Sequence, residues 1–185
     1  NRIFRSRLTY NKGSMVVHML RYVLGDEFFY QGMRNFLNDP AIAYNYAVTT
    51  QVKQHLEAVS GKDLADFFNN WIYGEGYPSY QVHTETMSET QTKITLSQTT
   101  SHASVSFFKM PVTLRLTGAN GQTENVVLQH TQNNQQFVVD TNVGKVSSIE
   151  INPFNDIVCA NNQVTIQETV VPVVEELKVF PNPSQ

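Results

Sequence analysis

Up to Gly76 the apolar side chains recur every three or four positions: Met15, Met19, Leu20, Val23 and Leu24; Phe29, Met33, Phe36 and Leu37; Val52, Leu56 and Val59; Leu64, Phe67, Phe68, Trp71 and Ile72. That spacing lays one apolar stripe along each of four helices. A stripe is stable only when covered, so the four helices are expected to pack on one another. The punctuation agrees. Gly25 separates the first two helices with Asp26 as a cap for the second, and Asp39-Pro40 closes the second. Thr49 or Thr50 offers a cap for the third, Ser60 and Asp63 have the spacing of a capping pair before the fourth, and Gly74 ends it. Trp71 with Phe67 and Phe68 reads as core, because helical spacing gathers the three rings on one face.

After Pro78 the period drops to two. Tyr80/Val82, Ile94/Leu96, Val112/Leu114/Leu116, Val126/Leu128, Phe137/Val139 and Ile149/Ile151 alternate with Thr, Gln, Ser and charged residues, the pattern of strands with one wet face. Gly118-Ala119-Asn120-Gly121 reads as a hairpin turn, with Asn133-Asn134 and Asn142-Val143-Gly144 marking further turns. Gly76-Tyr77-Pro78 reads as a stiff exit from the last helix into the first strand. The expected fold class is α+β in two domains: a helical bundle over 1–77 followed by an antiparallel β-sandwich over 78–160. Residues 161–185, with Pro172 among Val, Thr, Gln and Glu, read as a linker-like tail.

Composition narrows the function. Among 185 residues the formal net charge is -3, too small and too mixed for the concentrated basic face that nucleic acid requires, so no nucleic-acid partner is expected. No apolar run approaches the roughly 20 residues of a membrane helix. Cys159 is the only cysteine, which forbids an intrachain disulfide and a thiolate zinc cluster, and its place after Ile157 and Val158 reads as core. The chain starts at Asn1 with neither an initiator Met nor a signal segment, and is expected to be a piece of a longer polypeptide.

The usual catalytic signatures are missing. No two of His18, His55, His83, His102 and His130 stand four apart, there is no H-E-x-x-H, no G-x-S-x-G and no glycine-rich phosphate loop. His18 and Tyr22 are spaced to meet on one helix face. What remains is Tyr10-Asn11-Lys12-Gly13 at the expected start of the first helix, where a short polar cap is usual and a tyrosine cannot serve. Two readings are open for Tyr10: an amphipathic ring packed inward with a wet hydroxyl, or a rigid phenolic donor aimed at a developing oxyanion.

Residues Tyr10 to about Tyr80 resemble the end of the catalytic domain of the gluzincin zinc aminopeptidases, the group that includes aminopeptidase N and the leukotriene hydrolase. The resemblance is carried by Tyr10-x-Lys12-Gly13, Leu24-Gly25-Asp26-Glu27-Phe28-Phe29, Ser60-Gly61-Lys62-Asp63-Leu64, Phe67-Phe68-x-x-Trp71 and Gly76-Tyr77-Pro78 in that order. It implies that the helices are the end of a thermolysin-like catalytic domain and that the strands form a fibronectin-like sandwich. It also implies that Tyr10 hydrogen-bonds the carbonyl oxygen in the transition state. Lys12 is then expected in a structural salt bridge, and Gly13 to allow close packing.

The same resemblance places zinc, its ligands and the general base in the parent protein upstream of Asn1. No metal ligand and no cofactor site are therefore expected in this chain, which alone should cleave nothing. The implied substrate is a peptide with a free N-terminus, and the implied partner is the missing N-terminal part of the catalytic domain. Val179-Phe180-Pro181-Asn182-Pro183-Ser184 resembles the opening of the C-terminal sorting domains of exported Bacteroidetes proteins, which implies secretion or display at the cell surface. The competing reading makes the sandwich a non-catalytic binding or adhesion module, for which the strands offer few clustered aromatics.

Overall fold

The computed structural model describes residues 5–167. The sorting-domain motif near the C-terminus lies outside the described residues. A π-helical turn, Arg7–Asn11, runs into α1 (Lys12–Leu24), followed by α2 (Asp26–Asn38), α3 (Thr49–Ser60) and α4 (Ala65–Phe68). The expected four helices are present. The fourth widens into a second π-helical segment, Asn69–Tyr73, closed by the Gly74 amide donating to the Asn69 carbonyl at 2.7 Å.

The helix ends differ in detail from the sequence expectation. Asp26 lies inside the first turn of α2 rather than capping it, and takes a two-pronged pair with Arg21, Nε to Oδ1 at 2.7 Å and Nη2 to Oδ2 at 2.9 Å. The Arg21 hydrogen bond holds the Asp26 carboxyl below the usual carboxylate range. Neither Thr49 nor Thr50 caps α3; Val48 stands at the cap and its amide donates to Gln51 Oε1 at 2.8 Å. Ser60 and Asp63 do not act as a pair. Asp63 Oδ1 accepts from the Ala65 amide at 2.8 Å, while Ser60 Oγ donates back to the Leu56 carbonyl at 2.7 Å. Short polar side chains bond the nearest orphaned backbone group, and only the loop geometry decides which one that is.

α2 and α3 approach closely at Gly32. A Cβ there would lie 2.7 Å from Leu56 Cδ2 and 3.2 Å from Leu56 Cα, so the bare backbone sets the separation of the two helices.

Seven strands follow: β1 (Pro78–Thr86), β2 (Gln91–Thr100), β3 (Met110–Gly118), β4 (Thr123–His130), β5 (Gln135–Asp140), β6 (Val146–Ile151) and β7 (Gln163–Gln167). They form a four-stranded sheet in the order β5-β2-β1-β7 and a three-stranded sheet in the order β4-β3-β6. All pairings are antiparallel except β1 with β7, which is parallel. The tail reading is corrected here, since residues 163–167 belong to the sheet and not to a linker. Their partner, β1, is some 80 residues distant in sequence, a pairing that local composition does not reveal. The Asn162 side chain leads them in, its Oδ1 accepting from the Tyr80 amide at 2.9 Å.

The period of two places Tyr80 and Val82 of β1, Ile94 and Leu96 of β2, and Val112, Leu114 and Leu116 of β3 in the interior. These residues and the buried faces of α1, α3 and α4 belong to one apolar cluster. The two expected domains thus share a core. Trp71 carries the junction, its ring 4.4 Å from that of the wholly buried Phe108. Around this contact Tyr22 Oη and Thr113 Oγ1 are 2.7 Å apart, Asn70 Nδ2 donates to the Phe107 carbonyl at 2.9 Å, and Lys109 pairs with Asp66. Burial raises the Tyr22 pKa, partly offset by the bond to Thr113. His18 does not pair with Tyr22; its Nε2 lies 3.3 Å from Asp156 Oδ1. Cys159 lies outside the strands and is half-buried, its sulfur accepting from Asn152 Nδ2 at 3.4 Å and Asn162 Nδ2 at 3.2 Å.

A polar network crosses between the sheets. Gln98 of β2 is pinned by Phe108, whose amide donates to Gln98 Oε1 at 2.9 Å and whose carbonyl accepts from Nε2 at 2.9 Å. That fixes the amide orientation, so Nε2 also donates to His130 Nδ1 at 3.2 Å, and His130 Nε2 must donate to the Leu96 carbonyl at 3.2 Å. A second imidazole proton, on Nδ1, would face the Gln98 Nε2 protons, which cannot accept it. Burial, opposed by the backbone bonds, lowers the His130 pKa from 6.5 to about 4.

Three outcomes are expected. Gly32→Ala, forced against Leu56, should lose about 1 to 3 kcal/mol in chemical denaturation. Tyr80→Phe should be at least as stable as the wild type, because the buried Tyr80 hydroxyl has no hydrogen-bond partner among the described residues. Between pH 6.5 and about 4 the unfolded chain binds a proton that the folded His130 refuses, so this contribution is complete above pH 6.5 and is lost as the pH falls toward 4. The loss amounts to at most about 3 kcal/mol, read as the difference in unfolding free energy against pH between the wild type and His130→Leu.

Candidate functional site

Tyr10 sits within the Arg7–Asn11 π-helical turn, one residue before Asn11 leads into α1. The backbone is already helical at Ser6 (φ -46°, ψ -44°) and remains so at Asn11 (φ -68°, ψ -44°). Tyr10 is therefore not at the mouth of a helix, as the sequence suggested, but a turn inside one. No capping is asked of it, and its side chain is free for other work. The ring is 64% exposed, and among the described residues its hydroxyl makes no hydrogen bond. Of the two readings left open, the inward-packed ring is not what the structure shows.

The platform beneath Tyr10 is firm. Val16, Met19, Leu20 and Leu24 of α1 are buried in the shared core. Lys12, expected in a salt bridge, instead donates from Nζ to the Gly74 carbonyl at 3.5 Å, the end of the second π-helical segment. An ammonium suits that position, where the helix dipole leaves unpaired carbonyls. Gly13 does not pack closely on anything: a Cβ built there meets no atom within 4 Å.

Beside this turn lies a cleft of about 500 Å³. Met15, Met19, Trp71 and Tyr77 form an apolar floor, and Arg7 and Glu75 put opposite charges on its rim. The cleft was not foreseen from sequence, although Arg7, Asn11 and Met15 stand four apart and share one helix face. Its other wall comes from the helix-to-sheet crossing, where Gly76 takes φ +97° and Ser101 Oγ accepts from the Tyr77 amide at 2.9 Å.

Metal-ligating residue types are scattered. His18 meets Asp156, His55 meets Asp39 at 3.0 Å, and His83 and His102 stand 3.9 Å from Glu85 and Glu75. Each is a pair. Among the described residues no three of His, Cys, Asp and Glu come together to hold a metal ion. A zinc site needs at least three such donors, so these residues do not fit one. The chemistry available is a solvent-facing phenolic donor on a rigid helix beside an amphipathic cleft.

Residues 1–71 match the family model described as the Peptidase family M1 domain. The chain is 38% identical over 78 residues to aminopeptidase N of Lactococcus lactis subsp. lactis, covering 42% of this chain and 9% of that protein. It is 30% identical over 115 residues to probable aminopeptidase 2 of Sulfurisphaera tokodaii, covering 60% of this chain and 14% of the relative. To the alanine/arginine aminopeptidase of Saccharomyces cerevisiae it is 35% identical over 98 residues, 53% of this chain and 10% of the relative. The chain thus spans about a tenth of the length of these relatives.

Proposed function

We propose that this chain is part of a zinc-dependent aminopeptidase of the M1 class, acting on peptides with a free N-terminus, and that Tyr10 is its oxyanion donor. The observation that supports this reading is the exposed, unengaged phenol on a core-anchored helix, inside the segment that matches the M1 domain. In peptide hydrolysis the scissile carbonyl oxygen gains negative charge as the trigonal carbon becomes tetrahedral. A donor already in position stabilises that charge without reorganising. The buried stripe of α1 fixes where Tyr10 stands, and the Lys12 bond to Gly74 ties the head of the helix to the crossing.

Zinc, the general base and the groups that grip the substrate's amino end belong, on this reading, to parts of the parent beyond the described residues. The 185-residue chain by itself is inactive. The two sheets brace the helices through Trp71–Phe108 and Tyr22–Thr113 and take no part in the chemistry. The parent is exported, on the strength of the Val179 to Ser184 motif. No helix among the described residues is long and apolar enough to cross a membrane.

Tyr10→Phe in the full-length protein should lower kcat on a peptide substrate by about 100- to 1000-fold with little change in KM. Its melting temperature should stay at the wild-type value, since among the described residues the hydroxyl makes no hydrogen bond. Retention of wild-type kcat would remove Tyr10 from the mechanism.

A further inference from the structure

The cleft of about 500 Å³ beside α1 is a different place from Tyr10. Arg7, Asn11, Met15 and Met19 line it along one stripe of the helical run, whereas Tyr10 is not among its lining residues. The oxyanion reading therefore leaves the cleft without a role. Its floor offers thioethers and rings, from Met15, Met19, Trp71 and Tyr77, and methionine adapts its shape to the apolar body it meets.

Two opposite charges stand over that floor, and neither is spent within the fold. Among the described residues Arg7 has no ion pair. The Glu75 carboxylate, its side chain 75% exposed, meets only the His102 imidazole, at 3.9 Å. The backbone beneath it is held, the Glu75 amide donating to Ser104 Oγ at 2.9 Å. Lys12 also lines the cleft, but its ammonium is engaged by the Gly74 carbonyl. One guanidinium and one carboxylate are thus left to face an occupant. An anion would meet Glu75 as a like charge, and a cation would meet Arg7 in the same way. A wholly apolar molecule would strip water from both charges and give neither a partner. A small zwitterion with an apolar side chain answers all three features, its carboxylate accepting from Arg7 and its ammonium donating to Glu75.

We propose that this cleft binds amino acids or dipeptides that carry apolar side chains, at a second site distinct from the one at Tyr10. The binding follows from the floor and the two charges. Only its meaning rests on the aminopeptidase reading, on which such molecules are among what the enzyme releases, so that the cleft takes up product away from the reacting bond.

Trp71 is the only tryptophan in the chain and lines the cleft, so its emission reports occupancy. L-leucine and L-leucyl-L-leucine, titrated separately, should change that emission saturably in the 185-residue chain, the tighter of the two identifying the preferred length. Calorimetry should find the same binding in the full-length protein of the parent gene. Arg7→Gln should weaken L-leucine about 3- to 10-fold and leave L-leucinamide unchanged, while Glu75→Gln should weaken both and leave N-acetyl-L-leucine unchanged. Both variants should melt at the wild-type temperature, because both side chains are exposed. The proposal is overturned by the absence of saturable binding, by binding that neither substitution weakens, or by L-serine binding as tightly as L-leucine. Binding in the isolated chain that is lost in the full-length protein would also overturn it, making the cleft an internal interface. A full-length protein that binds L-leucine through Arg7 yet hydrolyses no peptide would support the cleft and dismiss the aminopeptidase reading, and an active peptidase with an empty cleft would do the reverse.

Discussion

The packing of Trp71 on Phe108 is the contact on which the rest of the molecule depends. It joins two kinds of secondary structure that could each have closed on themselves, and it does so where neither ring is left in water. Aromatic pairs at this separation contribute through both buried area and ring electrostatics. Because Trp71 ends the helical portion and Phe108 opens the approach to β3, the apolar interior of the helices continues into the space between the sheets. The buried residues of the two portions form one continuous apolar cluster.

Polar side chains complete the junction without weakening it. Tyr22 and Thr113 satisfy one another, and Asn70 covers the Phe107 carbonyl. The Gln98–His130 network spans the two sheets with every visible donor matched to an acceptor. Such a network is specific because it tolerates one arrangement of protons only. It ties β2 to β4 across the space between the two sheets.

The helical portion is asymmetric in a way the sheets are not. Val16, Met19, Leu20 and Leu24 of α1 are buried, while Tyr10 and Val17 on the same helical run are exposed and a Cβ at Gly13 would meet nothing within 4 Å. Gly32 and Gly13 make the contrast plain, the first crowded by Leu56 and the second in open space.

Periodicity alone determined the four helices, six of the strands, the change of class at Pro78 and the burial of Trp71, Phe67 and Phe68, because side-chain spacing follows directly from the geometry of each element. The motif at Tyr10 could be singled out, and so could its two readings, from residue type alone. Only the tertiary structure decided that Tyr10 is exposed and inside a helix, that Lys12 bonds a carbonyl, that Gly13 is unpacked, and that Asp63 caps where Ser60 does not. It alone revealed β7, the shared core and the cleft beside α1. The Lys12 bond and the lead-in to β7 join groups 62 and 82 residues apart, and a chain's local pattern carries no record of which distant groups will arrive beside it.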